Sequence, residues 1–240
     1  MDKNHLFAAL FTLCCLAGPG FSPAWGQIRV PGDDKWETSF FFGLSGAGDA
    51  GFVTPIEEGG TRDVGLNLDA SYLLGVRVTE NLGRYFGAEL EYSFANRPLV
   101  FVDLLPDLPA LGLDHKIHQL AYSVVVYAAD RSRRLRPFGS IGFGTSLFRV
   151  SGSSKEEALE QGVELKDRWK PALSFGGGLK YRLGRHWGIR VDFRDQITGF
   201  SDFGLPSRAS DTEPVQAGFR PDGVMHNWNI SGGLAYFFGR

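Results

Sequence analysis

The sequence predicts an all-β protein, an eight-stranded antiparallel up-and-down β-barrel that spans a membrane with its strands. Eight stretches of the chain alternate apolar with small or polar residues, at the period of two that is typical of a β-strand. The 32 glycines and 20 phenylalanines suit strands, turns and crowded barrel walls. After residue 20 no apolar run approaches the ~18–20 residues of a membrane-spanning helix, so we expect strands to cross the membrane.

The first 26 residues predict a secretory signal peptide, which leaves residues 27–240 as one barrel domain. Residues 6–18 form its apolar stretch, and small side chains precede a cleavage site near Gly26. Both cysteines, Cys14 and Cys15, lie in this segment, so the mature domain is expected to need no disulfide. A lipid-carrying cysteine is less well supported, because Leu13 occupies the position before Cys14 where a small residue is required.

The eight alternating stretches define the predicted strands. They are residues 36–47, 64–78, 85–95, 116–128, 137–150, 169–183, 187–199 and 225–240. Apolar faces of the first four include, in order, Phe40 and Phe42; Leu66, Tyr72 and Leu74; Leu90 and Tyr92; and Leu120, Tyr122 and Val124. Those of the last four include Ile141 and Phe143; Leu173 and Phe175; Ile189 and Val191; and Ile230, Leu234 and Tyr236. We expect the first and last strands to pair and close the barrel.

The connections between the predicted strands are alternately short and long. Short links follow strands two, four and six, at residues 80–84, 129–136 and 184–186. Long links follow strands one, three, five and seven, at residues 48–63, 96–115, 151–168 and 200–224. Short turns on one side of the membrane and long loops on the other are the pattern of bacterial outer-membrane barrels.

Alternation does not itself decide which face points inward, because a soluble eight-stranded barrel lines its cavity with apolar side chains. The lumen of eight strands is only wide enough for side chains to fill it. Glycine, serine and alanine on one face fit that space, whereas the phenylalanine, tyrosine and leucine of the other are too bulky. The four tryptophans expected at the two membrane boundaries, as an aromatic girdle, are Trp36, Trp187, Trp169 and Trp228.

Charged residues occupy the predicted inner face. The network expected in the lumen consists of Asp69, Arg77, Glu89, Glu91, Lys180, Arg190, Asp192 and Arg194, with Glu37, Lys170 and Arg182 on the same face. Buried charges must be paired or hydrated. Either an ion pathway or a salt-bridged plug satisfies this requirement, and the narrow lumen favours the plug.

The last strand carries a short signal in Gly233, Tyr236 and Phe238, with polar Ser231 upstream and two further residues, Gly239 and Arg240, at the end. With the eight strands, this pattern resembles the small bacterial outer-membrane β-barrel proteins of the outer-membrane protein A and X type. The resemblance implies location in the outer membrane after signal-peptide cleavage, contact with lipid and lipopolysaccharide, and assembly by the machinery that reads the C-terminal signal. It also implies a salt-bridged lumen.

The sequence gives little support for an enzymatic activity or for a bound cofactor. His118 and His226 are expected on the outer surface near the upper rim, where lipid A-modifying barrels attack an acyl ester with a histidine, a serine and a carboxylate. The stretch His226-Asn227-Trp228 has no serine at the required spacing, so an interfacial histidine is the simpler interpretation. We predict no cofactor and no metal site, and the basic cluster at residues 131–136 lacks the aromatic residues of a nucleic-acid surface.

The long loops are the remaining candidates for recognition. They hold 16 acidic against 7 basic residues, and Ser154 with Glu157 predicts a short helix over residues 154–164. The apolar loop Pro98–Leu113 contains three prolines and is expected either to pack over the barrel mouth or to contact lipid, an apolar ligand or a partner. The sequence therefore favours a non-enzymatic barrel serving envelope structure or surface interaction. Passage or binding of small or apolar solutes is the alternative, and a lipid A-modifying enzyme ranks last.

Overall fold

The computed structural model describes residues 34–212 and 214–239, so the predicted signal peptide lies outside the described residues. The strands are β1 (Trp36–Ala47), β2 (Ala50–Pro55), β3 (Thr61–Leu68), β4 (Ser71–Glu80), β5 (Phe86–Leu105), β6 (Leu108–Tyr127), β7 (Leu135–Val150), β8 (Arg168–Arg182), β9 (Trp187–Gly199) and β10 (Val224–Phe238), and the helix is α1 (Gly152–Glu160). Within the part of the chain that is described, no helix is long and apolar enough to cross a membrane.

The barrel is closed, as the sequence predicted. The antiparallel order is β1, β4, β5, β6, β7, β8, β9 and β10, and β10 pairs back with β1. That last ladder runs from Trp36 opposite Phe238 to Ala47 opposite Asn227. Closure pairs each of these eight strands on both sides, which removes the unsatisfied edges that lipid cannot tolerate. The short hairpin β2–β3 adds to the wall through pairs between β3 and the upper half of β5.

The outer surface is the apolar face. Phe40 and Phe42 on β1 are 67% and 69% exposed, whereas the alternate residues Ser39 and Phe41 are buried. The same alternation holds on β9, where Val191 is exposed and Arg190 and Asp192 are buried. A barrel with bulky apolar side chains outside and small or charged ones inside has the arrangement of a membrane barrel. The predicted facing is therefore confirmed for these strands.

The second predicted strand is wrong in its upper half. It breaks at Asp69 and Ala70 into β3 and β4, and the break reverses which side chains point inward. Leu66 and Leu68, predicted on the lipid face, are buried inside, while Asp69, predicted in the lumen, is exposed. Because side chains alternate at a period of two, an irregularity in the strand moves every later residue to the opposite face.

Two of the predicted long loops are mostly strand. Residues 48–63 form most of the β2–β3 hairpin, and residues 96–115 continue β5 and β6 to a turn at Pro106 and Asp107. The prolines of residues 98–113 argued for a loop, because proline donates no ladder hydrogen bond. The apolar alternation of Leu99 and Phe101 prevails, since both side chains are fully buried inside the extended wall. The predicted apolar loop is thus barrel wall packed on its own interior.

The predicted helix exists, but it begins two residues earlier and ends four residues earlier than predicted. The N-cap is Ser151, whose side chain accepts a hydrogen bond from the backbone N–H of Ser154 at 3.3 Å. Ser154, predicted as the cap, instead accepts a hydrogen bond from the backbone N–H of Asp114 on β6, at 3.1 Å. This contact ties α1 to the extended wall.

The facing of the wall predicts how two valines respond to the same change. Val191→Arg should lower the free energy of unfolding by about 2–4 kcal/mol or block assembly, because an arginine near the bilayer midplane loses its hydration. Val53→Arg is the matched control, since Val53 on β2 is 56% exposed against 54% for Val191 but lies on the hairpin above the apolar band. Urea unfolding in lipid vesicles measures both, and equal tolerance would contradict the assignment.

Candidate functional site

The lumen is stratified along the barrel axis. In bacterial outer-membrane barrels the short turns are periplasmic and the long connections extracellular, and the two ends of this barrel are named accordingly. Inward side chains of β5 read, from the periplasmic end, Glu89, Glu91, Ser93, Ala95 and Arg97, followed by Leu99 and Phe101. Charges therefore occupy the middle, small polar groups lie above them, and apolar groups fill the extracellular half. The candidate site is the boundary between the polar and the apolar layers.

Six buried charges form the central cluster. Its members are Arg77, Arg190, Arg194, Glu89, Glu91 and Asp192. Glu89 binds both Arg190 and Arg194 and accepts a hydrogen bond from the Thr79 hydroxyl at 2.8 Å. Three cations thus meet three carboxylates, so the cluster has no formal charge.

Asp192 and Glu91 join the arginines into one network. Asp192 accepts from Arg190 at 2.8 Å and from Arg77 at 3.2 Å, while Arg77 also binds Glu91. The Arg77 guanidinium lies 3.7 Å from the centre of the Phe41 ring. Every member of the cluster is at most 2% exposed. These contacts span opposite walls and block the axis of the barrel.

The remaining residues of the predicted charge network are placed differently. Lys180 pairs with Glu37 at 2.5 Å and donates to the Tyr127 hydroxyl at 2.9 Å, closer to the periplasmic end. Asp69 lies at the strand break and takes no part. The central cluster therefore contains six of the eight predicted residues.

An apolar core fills the extracellular half of the barrel. Among the described residues, this upper core comprises twenty buried side chains: Phe52, Val64, Leu66, Leu68, Leu99, Phe101, Leu104, Leu111, Leu113, Ile117, Phe148, Val150, Ala158, Val163, Leu165, Phe203, Leu205, Ala217, Phe219 and Met225. A cavity of about 10 Å³ remains within it, beside His115, Phe203 and Met225. That space is at the lower limit for one water molecule, so the upper core is packed shut.

The floor of the upper core is polar, and sequence analysis missed it. Arg97 is fully buried and donates to the Ser45 hydroxyl at 2.5 Å and to the Asn227 side-chain oxygen at 3.1 Å. His115, opposite Arg97 in the β5–β6 ladder, is also fully buried, against the Phe148 ring. Arg97 has the same parity as Glu89 and Glu91, so extending the predicted strand by two residues would have placed it in the lumen.

The connection from β9 to β10 covers the upper core, and its described residues between 200 and 223 are called the lid. Phe203 of the lid points into the core, with its ring centre 5.7 Å from that of Phe101. Its backbone φ of 49° lies in the left-handed region, which is strained for a side chain of this size. The lid is held closed by packing that offsets this strain.

A polar latch joins the lid to the tip of the β2–β3 hairpin. Glu58 accepts hydrogen bonds from the hydroxyls of Thr212 and Ser210, at 2.7 and 2.8 Å, and Asp211 pairs with Arg62. The hydrogen bonds, that from Thr212 first, lower the pKa of Glu58 from 4.5 to about 2. The latch is therefore complete above pH 4.5 and is lost as the pH falls through 2.

The wall has an interruption at the height of Arg97. The ladder of β5 with β4 ends at Leu73 opposite Ala95, and that with β3 resumes at Leu68 opposite Leu99. Between these pairs, residues 69–72 face residues 96–98, and Pro98 has no N–H to donate. We call this interruption the wall gap. The Ser71 hydroxyl donates a hydrogen bond across it to the Asn96 carbonyl oxygen, and the adjoining Tyr72 is 81% exposed on the outer surface.

The two outward histidines do not meet. His118 contacts the Tyr92 hydroxyl at 2.8 Å, and His226 contacts Asp195 at 2.6 Å on the neighbouring strand. Asp195 is a buried carboxylate on the outward register that sequence analysis missed. Among the described residues, the side-chain contact recorded for His226 is with Asp195.

The predicted girdle residues lie at the two ends of the wall. Trp36 and Trp187 occur at one end, where they pair with Phe238 and Tyr236. Trp228 packs on Gly46, where a Cβ atom would lie 2.1 Å from the indole. Trp169 is exposed at the extracellular end of β8.

Gly233 of the predicted C-terminal signal has a packing role as well. A Cβ atom there would approach the Phe40 carbonyl oxygen to 2.3 Å, so only glycine fits. Tyr236 and Phe238 lie on the outer surface, with their ring centres 6.1 Å apart. Recognition of these residues by an assembly machinery stays a prediction.

Several loop acids are engaged within the protein. Asp167 pairs with Lys155 at 2.7 Å, and Asp202 lies 3.4 Å from Arg168. The first pair lies within the connection between β7 and β8, whereas the second, like the contacts of Glu58, joins the lid to another part of the extracellular end. Binding of an extracellular partner by these loops stays a prediction, and the described residues contain no cluster of histidine, cysteine and carboxylate groups that could hold a metal.

Comparisons with known proteins agree with this architecture. A family model described as the outer membrane protein beta-barrel domain matches residues 27–238. The outer membrane protein AlkL of Ectopseudomonas oleovorans is 33% identical over 78 residues, which cover 30% of this chain and 31% of that protein. The match therefore spans about a third of that relative's length.

A solved structure also shares the fold. The crystal structure of the outer membrane protein OprG from Pseudomonas aeruginosa superposes with a TM-score of 0.59 at 15% sequence identity, covering 86% of this chain and 98% of that one. At this identity the likeness shows the fold alone.

The central cluster predicts a large effect of one neutral substitution. Glu89→Gln should lower the free energy of unfolding by about 3–5 kcal/mol, because it leaves Arg190 and Arg194 underpaired in a buried site. Glu80→Gln is the control, since Glu80 pairs with the half-exposed Lys35, and loss of a surface pair costs at most about 1 kcal/mol. Equal midpoints of urea unfolding for the two variants would refute the buried network.

The latch predicts a local effect on the lid. Glu58→Gln should speed tryptic cleavage after the exposed Arg208 at pH 8, because the carboxylate that receives the Ser210 and Thr212 hydroxyls is lost. The exposed neighbour Glu57 supplies the control Glu57→Gln. If both variants are cut at the wild-type rate, Glu58 does not hold the lid.

Proposed function

The chain belongs to the outer membrane protein beta-barrel domain family, and on that premise we propose that it admits small apolar molecules from outside the cell into the outer membrane. The observation that supports this function is the upper core, an apolar interior that lies under the lid on the extracellular side of a closed charge cluster. The barrel contacts lipid through the outer face of its wall. An apolar interior is therefore not needed for these membrane contacts and calls for another explanation.

The apolar lining of the upper core determines which solutes can bind there. A polar molecule that entered the upper core would lose its hydration without gaining partners, at a cost of several kcal/mol. An apolar molecule gains by leaving water, at roughly 25 cal/mol per Å² of buried surface. The upper core therefore favours apolar molecules over sugars, ions and other hydrated solutes.

Entry requires movement of the lid, since the remaining cavity holds at most one water molecule. Phe203 is the side chain to displace, because it comes from the lid and carries a strained backbone. Its withdrawal would vacate the volume of a benzene-sized molecule in the middle of the core. Loops of this kind open on the microsecond-to-millisecond scale.

Exit along the axis is blocked by the central cluster, so we propose a sideways exit through the wall gap. The gap lies at the height of the core floor and adjoins the lipid-facing Tyr72. An apolar molecule moving this way passes from one apolar medium to another, without crossing the charged layer. The outer-membrane lipid and lipopolysaccharide are then the surroundings that receive it.

Uptake of a neutral fluorescent probe tests this function. Bacteria producing the protein should show a faster rise of N-phenyl-1-naphthylamine fluorescence than cells with an empty vector. Phe203→Ala should raise the rate further, by about two- to tenfold, because destabilising lid closure by up to 1.4 kcal/mol changes its equilibrium by up to a factor of ten. Val215→Ala, on the exposed surface of the same lid, should leave the rate unchanged.

Planar-bilayer recordings complete the test. The wild-type protein should show no steady ion current, because its axis is closed by paired charges. A steady current would contradict the sideways route. Wild-type cells that take up the probe no faster than empty-vector cells, although the barrel shows heat-modifiable mobility on gels, would refute the proposed function.

A further inference from the structure

Arg97 differs from four other buried cations of the lumen in having no anion. Arg77, Arg190 and Arg194 bind the carboxylates of the central cluster, and Lys180 binds Glu37. Among the residues that the structure describes, no carboxylate pairs with Arg97. Its partners are the neutral Ser45 and Asn227, and its Nε atom makes no hydrogen bond to the described residues.

An unpaired buried guanidinium is unfavourable. Transfer of an ion out of water costs several kcal/mol unless an opposite charge accompanies it. Arg136, another buried arginine, avoids the problem by donating to the carbonyl oxygens of Ala129 and Arg84 and by stacking on Tyr127. Arg97 has two neutral side-chain acceptors only, so its charge is not balanced by any residue that the structure describes.

The position of Arg97 defines the kind of anion. In the next inward layer on the extracellular side of Arg97 stand Leu99 on β5 and Met225 on β10, both in the upper core. Its ladder partner His115 lines the cavity in that core. A ligand whose negative group reaches Arg97 from above must therefore have an apolar body of some length.

We propose that Arg97 binds the carboxylate of an apolar monocarboxylic acid whose hydrocarbon chain occupies the upper core. This inference rests on the proposed function and names a substrate class for the same route. A single negative charge matches the single unpaired cation, whereas a phosphate dianion would remain undercompensated. A carboxylate also fits the planar guanidinium, which can offer Nε–H and one Nη–H in parallel.

The neighbouring groups suit a transient ligand. Ser45 and Asn227 hold the guanidinium in place when no acid is bound. A bound carboxylate would replace one of these neutral acceptors, and the hydrogen bond between two charged groups is the stronger one. Arg97 also lies in the part of β5 that borders the wall gap, opposite residues 69–72. A bound acid would thus have its head group beside the exit to lipid.

Binding of two ligands of equal chain length tests the inference. Decanoate and 1-decanol are titrated into the full-length mature protein in phospholipid nanodiscs at pH 8, with empty nanodiscs subtracted for partitioning. Wild-type protein should bind decanoate about tenfold more tightly than Arg97→Gln does, the effect of one charge-assisted hydrogen bond. The affinity for decanol should be the same in both, and Arg97→Lys should recover part of the decanoate affinity.

Arg136→Gln is the matched control, because it removes a buried arginine outside the upper core, and it should bind decanoate like the wild type.

A second measurement uses wild-type protein alone and does not depend on the folding of any variant. With arginine labelled by ¹⁵N, decanoate and not decanol should shift the Arg97 Nε–Hε resonance. The absence of such a shift would overturn the inference.

The outcomes separate the two proposals. Equal decanoate affinity of wild type and Arg97→Gln, with decanol still bound by both, would refute the carboxylate site and leave uptake of apolar molecules standing. Failure of wild-type protein to bind either ligand would refute the proposed function, and the inference with it. Tighter decanoate binding that depends on Arg97 and not on Arg136 supports both.

Discussion

Pairing of charges across the lumen is the interaction on which the rest of the structure depends. Three arginines and three carboxylates meet in the middle of the barrel, each at most 2% exposed. The network draws Arg77 and Glu89 from one wall and Arg190 from the opposite wall, so it braces the barrel internally while closing its axis. A neutral cluster of this kind is stable only when complete, because each missing partner leaves a buried charge.

Closure of the axis gives the extracellular half of the barrel a separate role. There the walls lengthen, with β5 and β6 reaching 20 residues each, and their inward faces change from polar to apolar. The β2–β3 hairpin, α1 and the lid complete an enclosure around the upper core. Strained Phe203 and the latch at Glu58 make the lid the part of this enclosure best suited to move.

The functional site was predictable in its lower half and not in its upper half. Glu89, Glu91, Arg190, Asp192 and Arg194 lie on uninterrupted strands, where a period of two carries each residue to a known face. Other errors came from one local feature each. The break beside Ala70 reversed which side chains of β3 point inward. The prolines after Arg97 led to the prediction of a loop where the structure has barrel wall. Neither feature changes the average alternation that reveals a strand.

The sequence by itself determined that this protein is a closed eight-stranded barrel with an apolar outer surface and a charged interior, because alternation and the order of short and long connections suffice for that conclusion. It could not determine which cations find partners. Pairing depends on the stagger between strands far apart in the chain, as for Arg190 and Glu89, which are 101 residues apart. Only the tertiary structure therefore decided that the central charges neutralise one another and that Arg97, under the apolar core, does not share in that pairing.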